Sequence, residues 1–223
     1  MVGIYTFPII TLLGFVLSSI WLVFFLLEDR AKPEPRLLIT KTFAIGMISA
    51  FAAIGMEKLF GLLCSCLSVE EYSILSISGN ALIEEVIKFA VVFIFVGASR
   101  HFDEPIDRMI YMITAALGFA TVENFFFFST AASIAELAGI TILRFVGATL
   151  MHALSSGMLG YFWAKQRLFI GVVVATVIHT VFNFLILASG PERWPIVFLL
   201  LLSFILFYEF DKIKQYYHER KKY

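Results

Sequence analysis

The sequence predicts an all-α fold, a polytopic membrane bundle of about seven transmembrane helices. Of its 223 residues, 60% are hydrophobic and only 15% are charged, whereas globular chains carry about 25% charged residues. The mean hydropathy is +0.90. Its apolar runs are close to the ~20 residues that a helix needs to cross a bilayer. They predict seven spans, over residues 4–27, 37–62, 80–98, 109–130, 139–163, 168–188 and 194–210.

The connections between these runs are short, which predicts one integral-membrane domain over residues 1–223 and no soluble domain. The first run is longer than the apolar core of a signal peptide and has no basic segment before it, so we expect a retained first span. Residues 211–223 form a basic tail after the last run. The net charge of +0 gives no indication of a nucleic-acid partner.

Lysine and arginine alternate between the connections. They follow spans one and three and join spans five and six, and five of them occur in the tail. The connection 64–79 has none, 131–138 has none, and the connection after span six has only Arg193. Basic residues are enriched in cytoplasmic loops of membrane proteins. The pattern therefore predicts a multi-pass protein of the cell membrane with an extracytoplasmic N-terminus and a cytoplasmic C-terminus.

Four successive predicted spans carry polar residues at roughly one depth, in the outer half of the bilayer. A charge at membrane depth costs at least ~2.5–3.5 kcal/mol, so such residues usually mark a functional site. The candidates are Glu84, Glu85 and Lys88 in span three, Glu123 and Asn124 in span four, Arg144 and His152 in span five, and His179 and Asn183 in span six.

Three chemistries could use this set of residues. A glutamate could act as general base on a water while His or Asn donors stabilise an oxyanion. Histidines and glutamates together could bind zinc with an open position for water. Glu and His chains could also relay ions or protons in a transporter. These residue types and their spacing leave the three chemistries open.

The ordered motifs resemble those of the PrsW intramembrane proteases, a family related to the type II CAAX prenyl endopeptidases. The motifs are Glu84-Glu85-x-x-Lys88, Phe119-x-x-x-Glu123-Asn124, His152 and His179-x-x-x-Asn183, together with the segment Glu28–Arg36 after the first span. The CAAX-type relatives have a histidine where this chain has Glu123. That difference favours the PrsW branch.

The resemblance implies a role for each matching residue. Glu84 or Glu85 would be the general base on water, with the other oriented by Lys88. Glu123 and His152 would complete the water or metal site, and His179 and Asn183 would bind metal or stabilise the oxyanion. Asn124 and Arg144 would support them. If the site holds a divalent metal, zinc is the expected one, and the candidate ligands are Glu85, Glu123, His152 and His179.

The leading hypothesis is therefore an intramembrane endopeptidase, metallo- or glutamic-type. Its expected substrate is a single-span or membrane-anchored protein in the lipid bilayer, such as an anti-sigma factor, cleaved near the extracytoplasmic face. The alternatives are an ion or small-solute transporter that couples through the Glu/His cluster, and a non-catalytic scaffold that keeps the motifs.

Overall fold

The computed structural model of the chain describes residues 7–30, 32–191 and 193–220, with the backbone alone for residues 216–220. The beginning of the first predicted span, residues 4–6, and the last residues of the basic tail, 221–223, lie outside the described residues.

Seven helical rods make up the described chain, which confirms the predicted all-α fold and a helix count of about seven. The helices are α1 (Phe7–Leu26, continued by a 3-10 turn at Leu27–Asp29), α2 (Arg36–Cys66), α3 (Ile74–Phe95), α4 (Pro105–Ser129), α5 (Ile134–Arg144), α6 (Leu150–Ala164), α7 (Leu168–Ser189) and α8 (Trp194–Arg220). A π-helical segment, Phe145–Thr149, joins α5 to α6 in a single rod.

Five rods are long and apolar enough to cross a membrane, namely those over Phe7–Asp29, Arg36–Cys66, Pro105–Ser129, Ile134–Ala164 and Leu168–Ser189. Helix α3 is not among them, and Glu84, Glu85 and Lys88 lie in its middle. These three charged residues, which belong to the candidate site, exclude α3 from the five apolar rods.

Helix α3 begins earlier than the predicted span, at Ile74 instead of residue 80. Ser73 caps it, and its hydroxyl oxygen accepts a hydrogen bond from the Ser76 backbone N–H at 3.3 Å. A serine oxygen at this position satisfies a backbone donor that the first helical turn leaves free. Residues 67–73 separate α2 from α3, so the connection is shorter than the predicted one over residues 64–79.

Helix α4 lies at the centre of the bundle, packed against α1, α2 and α6. Every residue from Met109 to Val122 is buried. Gly46 of α2 and Gly118 of α4 let the two backbones touch, since a Cβ on either would overlap a backbone carbonyl of the other helix. Small residues permit this close approach between membrane helices. The crossing fixes α4 and, with it, the side chains that α4 carries into the site.

Candidate active site

The predicted polar residues of α3, α4, α6 and α7 meet in the interior of the bundle. Glu84 is 7% exposed, and Glu85, Lys88, His152 and His179 are at most 2% exposed. The first two are adjacent in sequence, and Lys88 lies one turn later on the same helix. All of these side chains therefore share a space with little access to water.

The Glu85 carboxylate is surrounded by donors. Lys88 Nζ donates to its Oε1 at 2.9 Å and His179 Nδ1 lies 3.1 Å from the same oxygen. The hydroxyl of Ser155 donates to Oε1 at 3.1 Å, and that of Ser156 donates to Oε2 at 2.9 Å. Both oxygens are thus engaged, with three donors close to Oε1 and one close to Oε2.

Lys88 joins the glutamates of α3 to His152 of α6. Its Nζ lies 3.2 Å from Glu84 Oε2 and 2.8 Å from His152 Nδ1. An ammonium group only donates, so Nδ1 of His152 is the acceptor. The proton of this imidazole is then on Nε2, which lies 2.9 Å from Glu123 Oε2.

Glu123 and Asn124 of α4 are tied to the π-helical segment. Arg144, the last residue of α5, donates from Nη2 to Glu123 Oε2 at 2.8 Å and from Nε to Asn124 Oδ1 at 2.5 Å. Asn124 Nδ2 donates to Thr149 Oγ1 at 3.0 Å. Arg144 precedes the π-helical segment and Thr149 is its last residue. Such helix irregularities are frequent at functional sites.

Three donors converge at the centre of the cluster. Glu84, His152 and His179 each offer one ligand atom, and these atoms all lie within 4.8 Å of one another. His179 Nδ1 faces a carboxylate oxygen and must donate to it, which leaves Nε2 as an acceptor 3.8 Å from Glu84 Oε1. Each imidazole therefore donates its N–H to one glutamate, and its other nitrogen lies 3.8 Å from an oxygen of Glu84.

The structure brings together all but one of the predicted site residues. Asn183 lies on α7 one turn after His179 and is half-buried, but the described residues provide no hydrogen-bond partner for its side chain. The convergent ligand set also differs from the expected one. It contains Glu84. Glu123 and Glu85 instead contact the imidazole nitrogens that are not directed towards Glu84, namely His152 Nε2 and His179 Nδ1.

Sequence reasoning gave no site role to Ser155, Ser156 and Thr149. All three are fully buried and bind Glu85 or Asn124. Their position on the same predicted span as His152 was the one feature of the sequence that could have indicated them. Glu57 of α2 is a further addition, since it is half-buried and close enough to Glu84 and Glu123 to be repelled by both.

Comparison with known proteins decides the family. Residues 34–208 match the family model described as PrsW family intramembrane metalloprotease. This chain belongs to the PrsW family. It is therefore an intramembrane protease and a multi-pass membrane protein, and the family's description as metalloproteases supports a divalent metal.

Curated PrsW proteases match over most of their length. Protease PrsW of Clostridioides difficile (strain 630) is 31% identical over 211 residues, which cover 87% of this chain and 86% of that protein. Protease PrsW of Geobacillus kaustophilus (strain HTA426) is 28% identical, with 87% and 86% covered. That of Bacillus subtilis (strain 168) is 24% identical, with 87% and 89% covered. No solved structure matches this PrsW family member.

The donors of this PrsW family member fit a divalent metal. Two imidazoles and one carboxylate are the ligand types of catalytic zinc sites, which leave the fourth position for water. Glu123 and Glu85 contact the other nitrogen of each imidazole, an arrangement that fixes the orientation of metal-binding histidines. Lys88 would have to yield its hydrogen bond to His152 Nδ1, while its bond to Glu85 could remain.

Proposed function

We propose that this protease hydrolyses a peptide bond of a membrane-anchored protein, with a water activated between Glu84, His152 and His179. The observation that carries the proposal is the convergence of these three donors within 4.8 Å. The three lie on different helices, α3, α6 and α7, and each is directed inward although burial is costly for polar groups. A purely structural hydrogen bond would not need three such donors around one point.

Zinc is the metal that this donor set favours, and it would lower the pKa of a bound water towards ~7. Glu84 and the inward nitrogens of His152 and His179 would hold it. Glu85 and Glu123 would orient the two imidazoles. Lys88 would keep the charge of the neighbouring carboxylates balanced, because its ammonium lies within 3.2 Å of both Glu84 and Glu85.

Glu123 is the carboxylate that we assign to proton transfer. Its side chain is 23% exposed, whereas those of Glu84 and Glu85 are 9% and 0% exposed. Arg144 and His152 both contact its Oε2, which leaves Oε1 for the proton of the attacking water. This assignment refines the role that the family motifs imply for Glu84 or Glu85, since Glu84 is one of the three central donors and Glu85 is surrounded by Lys88, His179 and two serine hydroxyls.

Asn183 is a candidate for the oxyanion that forms during peptide hydrolysis. It lies one turn from His179, and its amide is not committed to any neighbour among the described residues. A donor aimed at developing negative charge is typical of acyl-transfer sites and is worth about 10²–10³-fold in rate. Half-burial would allow Asn183 to reach a peptide carbonyl that enters beside α7.

The charge pattern of the loops supports an extracytoplasmic position for the cleavage. With the N-terminus outside, the site lies in the outer half of the bilayer, and the scissile bond would lie near the extracytoplasmic face. A single-span protein such as an anti-sigma factor presents a bond at that depth. Membership of a protease family favours hydrolysis over transport by the same glutamates and histidines.

The test separates metal binding from proton transfer. The protein is purified without chelator or polyhistidine tag, and bound zinc is measured by mass spectrometry. Glu84→Gln and His179→Ala should lose the metal, whereas Glu123→Gln should keep it because the amide oxygen still accepts from His152. His101→Ala and the exposed Glu71→Gln serve as matched controls. Zinc retained by both Glu84→Gln and His179→Ala would disprove the ligand assignment.

Activity is read in the same variants from new protein termini. Membranes that contain the wild-type protein should yield cleaved single-span proteins, and these termini should be absent with Glu84→Gln and reduced at least about 100-fold with Glu123→Gln, the scale of general acid–base catalysis. Cleavage at the wild-type rate by Glu84→Gln would refute the proposed catalytic site.

A further inference from the structure

A second cluster of carboxylates lies at the opposite end of α4. Asp29 ends the 3-10 turn after α1, Glu34 lies in the connection before α2, and Asp107 lies in the first turn of α4. One oxygen of each lies within 4.8 Å of the others. Asp29 is 5% exposed and Asp107 is fully buried, while Glu34 is half-buried and forms the more open side.

No described cation lies within ion-pair distance of this cluster, although Lys32 and Lys214 act on Asp29 through space. The two nearest lysines bind elsewhere. Lys32 lies 2.6 Å from Asp103 and 3.1 Å from Glu104, and Lys214 lies 2.7 Å from Glu28. No described lysine, arginine or histidine forms an ion pair with Asp29, Glu34 or Asp107.

Two oxygens of the cluster also have no hydrogen-bond partner among the described residues. They are Oδ2 of Asp29 and Oδ1 of Asp107, and both belong to side chains that are at least nine-tenths buried. The other contacts use different atoms. The Tyr111 hydroxyl donates to Glu34, and the Glu104 backbone N–H donates to Asp107 Oδ2 at 2.6 Å. Buried carboxylates without partners are costly, and either a bound cation or a bound proton reduces that cost.

We propose that Asp29, Glu34 and Asp107 bind a hard divalent cation of the Mg²⁺ and Ca²⁺ class. All the donors are oxygens, which suit hard cations, whereas imidazole and thiolate ligands suit zinc. Three carboxylates, with waters entering beside Glu34, meet the need of these ions for at least six oxygen ligands. The cation would fasten the end of α1 and the connection before α2 to the start of α4.

The second site is separate from the active site. Asp107 and Glu123 are sixteen residues apart on α4, which places them about 24 Å apart along the helix at a rise of ~1.5 Å per residue. The two sites also differ in donor chemistry, N and O in one and O alone in the other. A test of cation binding at Asp107 therefore does not depend on the proposed proteolysis.

The first experiment titrates the full-length protein, as purified in detergent, with Tb³⁺ and follows luminescence excited through aromatic side chains. Tyr111 contacts Glu34, so a bound Tb³⁺ should be sensitised. We expect one saturable site that Ca²⁺ or Mg²⁺ displaces, with an affinity at least tenfold weaker in Asp29→Asn and Asp107→Asn. Asp103→Asn, which removes a mostly exposed carboxylate of the same region, should bind as the wild type does.

The second experiment measures thermal unfolding of the same variants with a chelator and with millimolar Mg²⁺ or Ca²⁺. A ligand that binds only the folded state raises the melting temperature. The cation should raise the melting temperature of the wild type but not that of Asp107→Asn. The asparagine keeps an oxygen that can accept the hydrogen bond from the Glu104 backbone N–H. With chelator, Asp107→Asn should be at least as stable as the wild type, because it carries one buried charge fewer.

Two results would overturn the cation site. The first is the absence of saturable Tb³⁺ binding together with a cation-independent melting temperature, which would indicate carboxyl groups that share protons. The second is an equal loss of affinity in Asp103→Asn and Asp107→Asn, which would indicate a diffuse surface effect.

Discussion

The two ends of α4 hold buried acidic groups in opposite electrostatic settings. At one end, Glu123 and the two glutamates of α3 lie among Lys88, Arg144 and two imidazoles. At the other, Asp107, Asp29 and Glu34 are neighbours of one another, and the nearby lysines pair with different carboxylates. The negative charges of the first group are paired with cationic side chains of the same chain, whereas no described cation forms an ion pair with the second group.

The difference shows what each end can bind. The candidate active site already contains its own cations, so a metal there would compete with Lys88 for His152 and would be favoured by a preference for nitrogen ligands. The acidic cluster presents only oxygen ligands and no described ion-pair partner, so a small hard cation would be stabilised there. Burial alone therefore does not define a site, and the nature of the compensating group decides its chemistry.

The largest effect is expected from Lys88→Met, which removes the central cation of the active site. Lys88 is fully buried and contacts Glu84, Glu85 and His152. Removal of one partner of a buried ion pair typically costs about 3–5 kcal/mol because the other charge is left unpaired. Thermal or denaturant unfolding in detergent should show this loss, while Lys58→Met, at an exposed position of α2, should change little.

A smaller effect is expected from Ser156→Ala, which removes one donor from Glu85. The Ser156 hydroxyl lies 2.9 Å from Glu85 Oε2, and a hydrogen bond to a charged group is worth about 1.5–3 kcal/mol. The same unfolding measurement should detect it. Ser203→Ala is the matched control, since the Ser203 hydroxyl bonds only within its own helix, to the Leu199 carbonyl. Equal losses in the two variants would argue against a stabilising role for the Glu85 network.

Thr149→Val tests the connection between the π-helical segment and the site. The valine has the same shape but no oxygen to accept from Asn124 Nδ2, so about 1 kcal/mol of stability should be lost. Because Asn124 helps to hold Arg144, cleavage should fall by more than the stability loss explains. Thr141→Val, whose hydroxyl bonds to the Leu137 carbonyl of its own helix, should retain cleavage.

The smallest effect should have the opposite sign and concerns Glu34 in the acidic cluster. Burial raises the pKa of Glu34 above its ordinary value of 4.5. Contacts with the Tyr111 hydroxyl and the Asp107 carboxyl oppose this rise, and the carboxylates of Asp29 and Asp103 add to it. The folded state therefore holds this proton more tightly than the unfolded state. Without cations, stability should fall as the pH rises from about 4.5 through the higher folded pKa.

Glu34→Gln should reduce that fall, since the uncharged side chain no longer titrates. The remaining carboxylates of the cluster would keep part of the slope. Melting temperatures recorded with chelator between acidic and neutral pH check the prediction, with Glu71→Gln as the control at an exposed glutamate. A wild-type melting temperature that rises over this range would contradict the sign.

The sequence predicted which residues meet in the candidate active site, with the exception of Asn183, but not which contacts each of them makes. Long apolar runs fix the helices, and opposite directions of neighbouring spans place Glu84, Glu123, His152 and His179 at one depth. The choice of Glu84 over Glu85 as the central carboxylate depends on the hydroxyls of Ser155 and Ser156, which reach Glu85 from another helix. No spacing along one chain segment reveals such a contact.

The acidic cluster was beyond sequence reasoning for a different reason. Asp29 and Glu34 belong to a short polar connection, where acidic residues are ordinary, and Asp107 is separated from them by two helices and their connections. Only the packing of α1 and α4 brings the three together. The early start of α3 was missed because Ser76, Ser78 and Asn80 interrupt the apolar pattern inside the helix.

The π-helical segment sets the angular relation between the two halves of one rod. Trp21 of α1 contacts it, with its indole N–H 2.9 Å from the Phe145 carbonyl. An α-helix turns by about 100° per residue, so one residue fewer between Arg144 and His152 would rotate α5 by that angle relative to α6. His152 would keep its place beside Lys88, while Arg144 would face away from Glu123. The wider π-helical turn contains one residue more than an α-helical turn would. This residue allows one rod to place His152 at the centre of the candidate site and Arg144 beside Glu123.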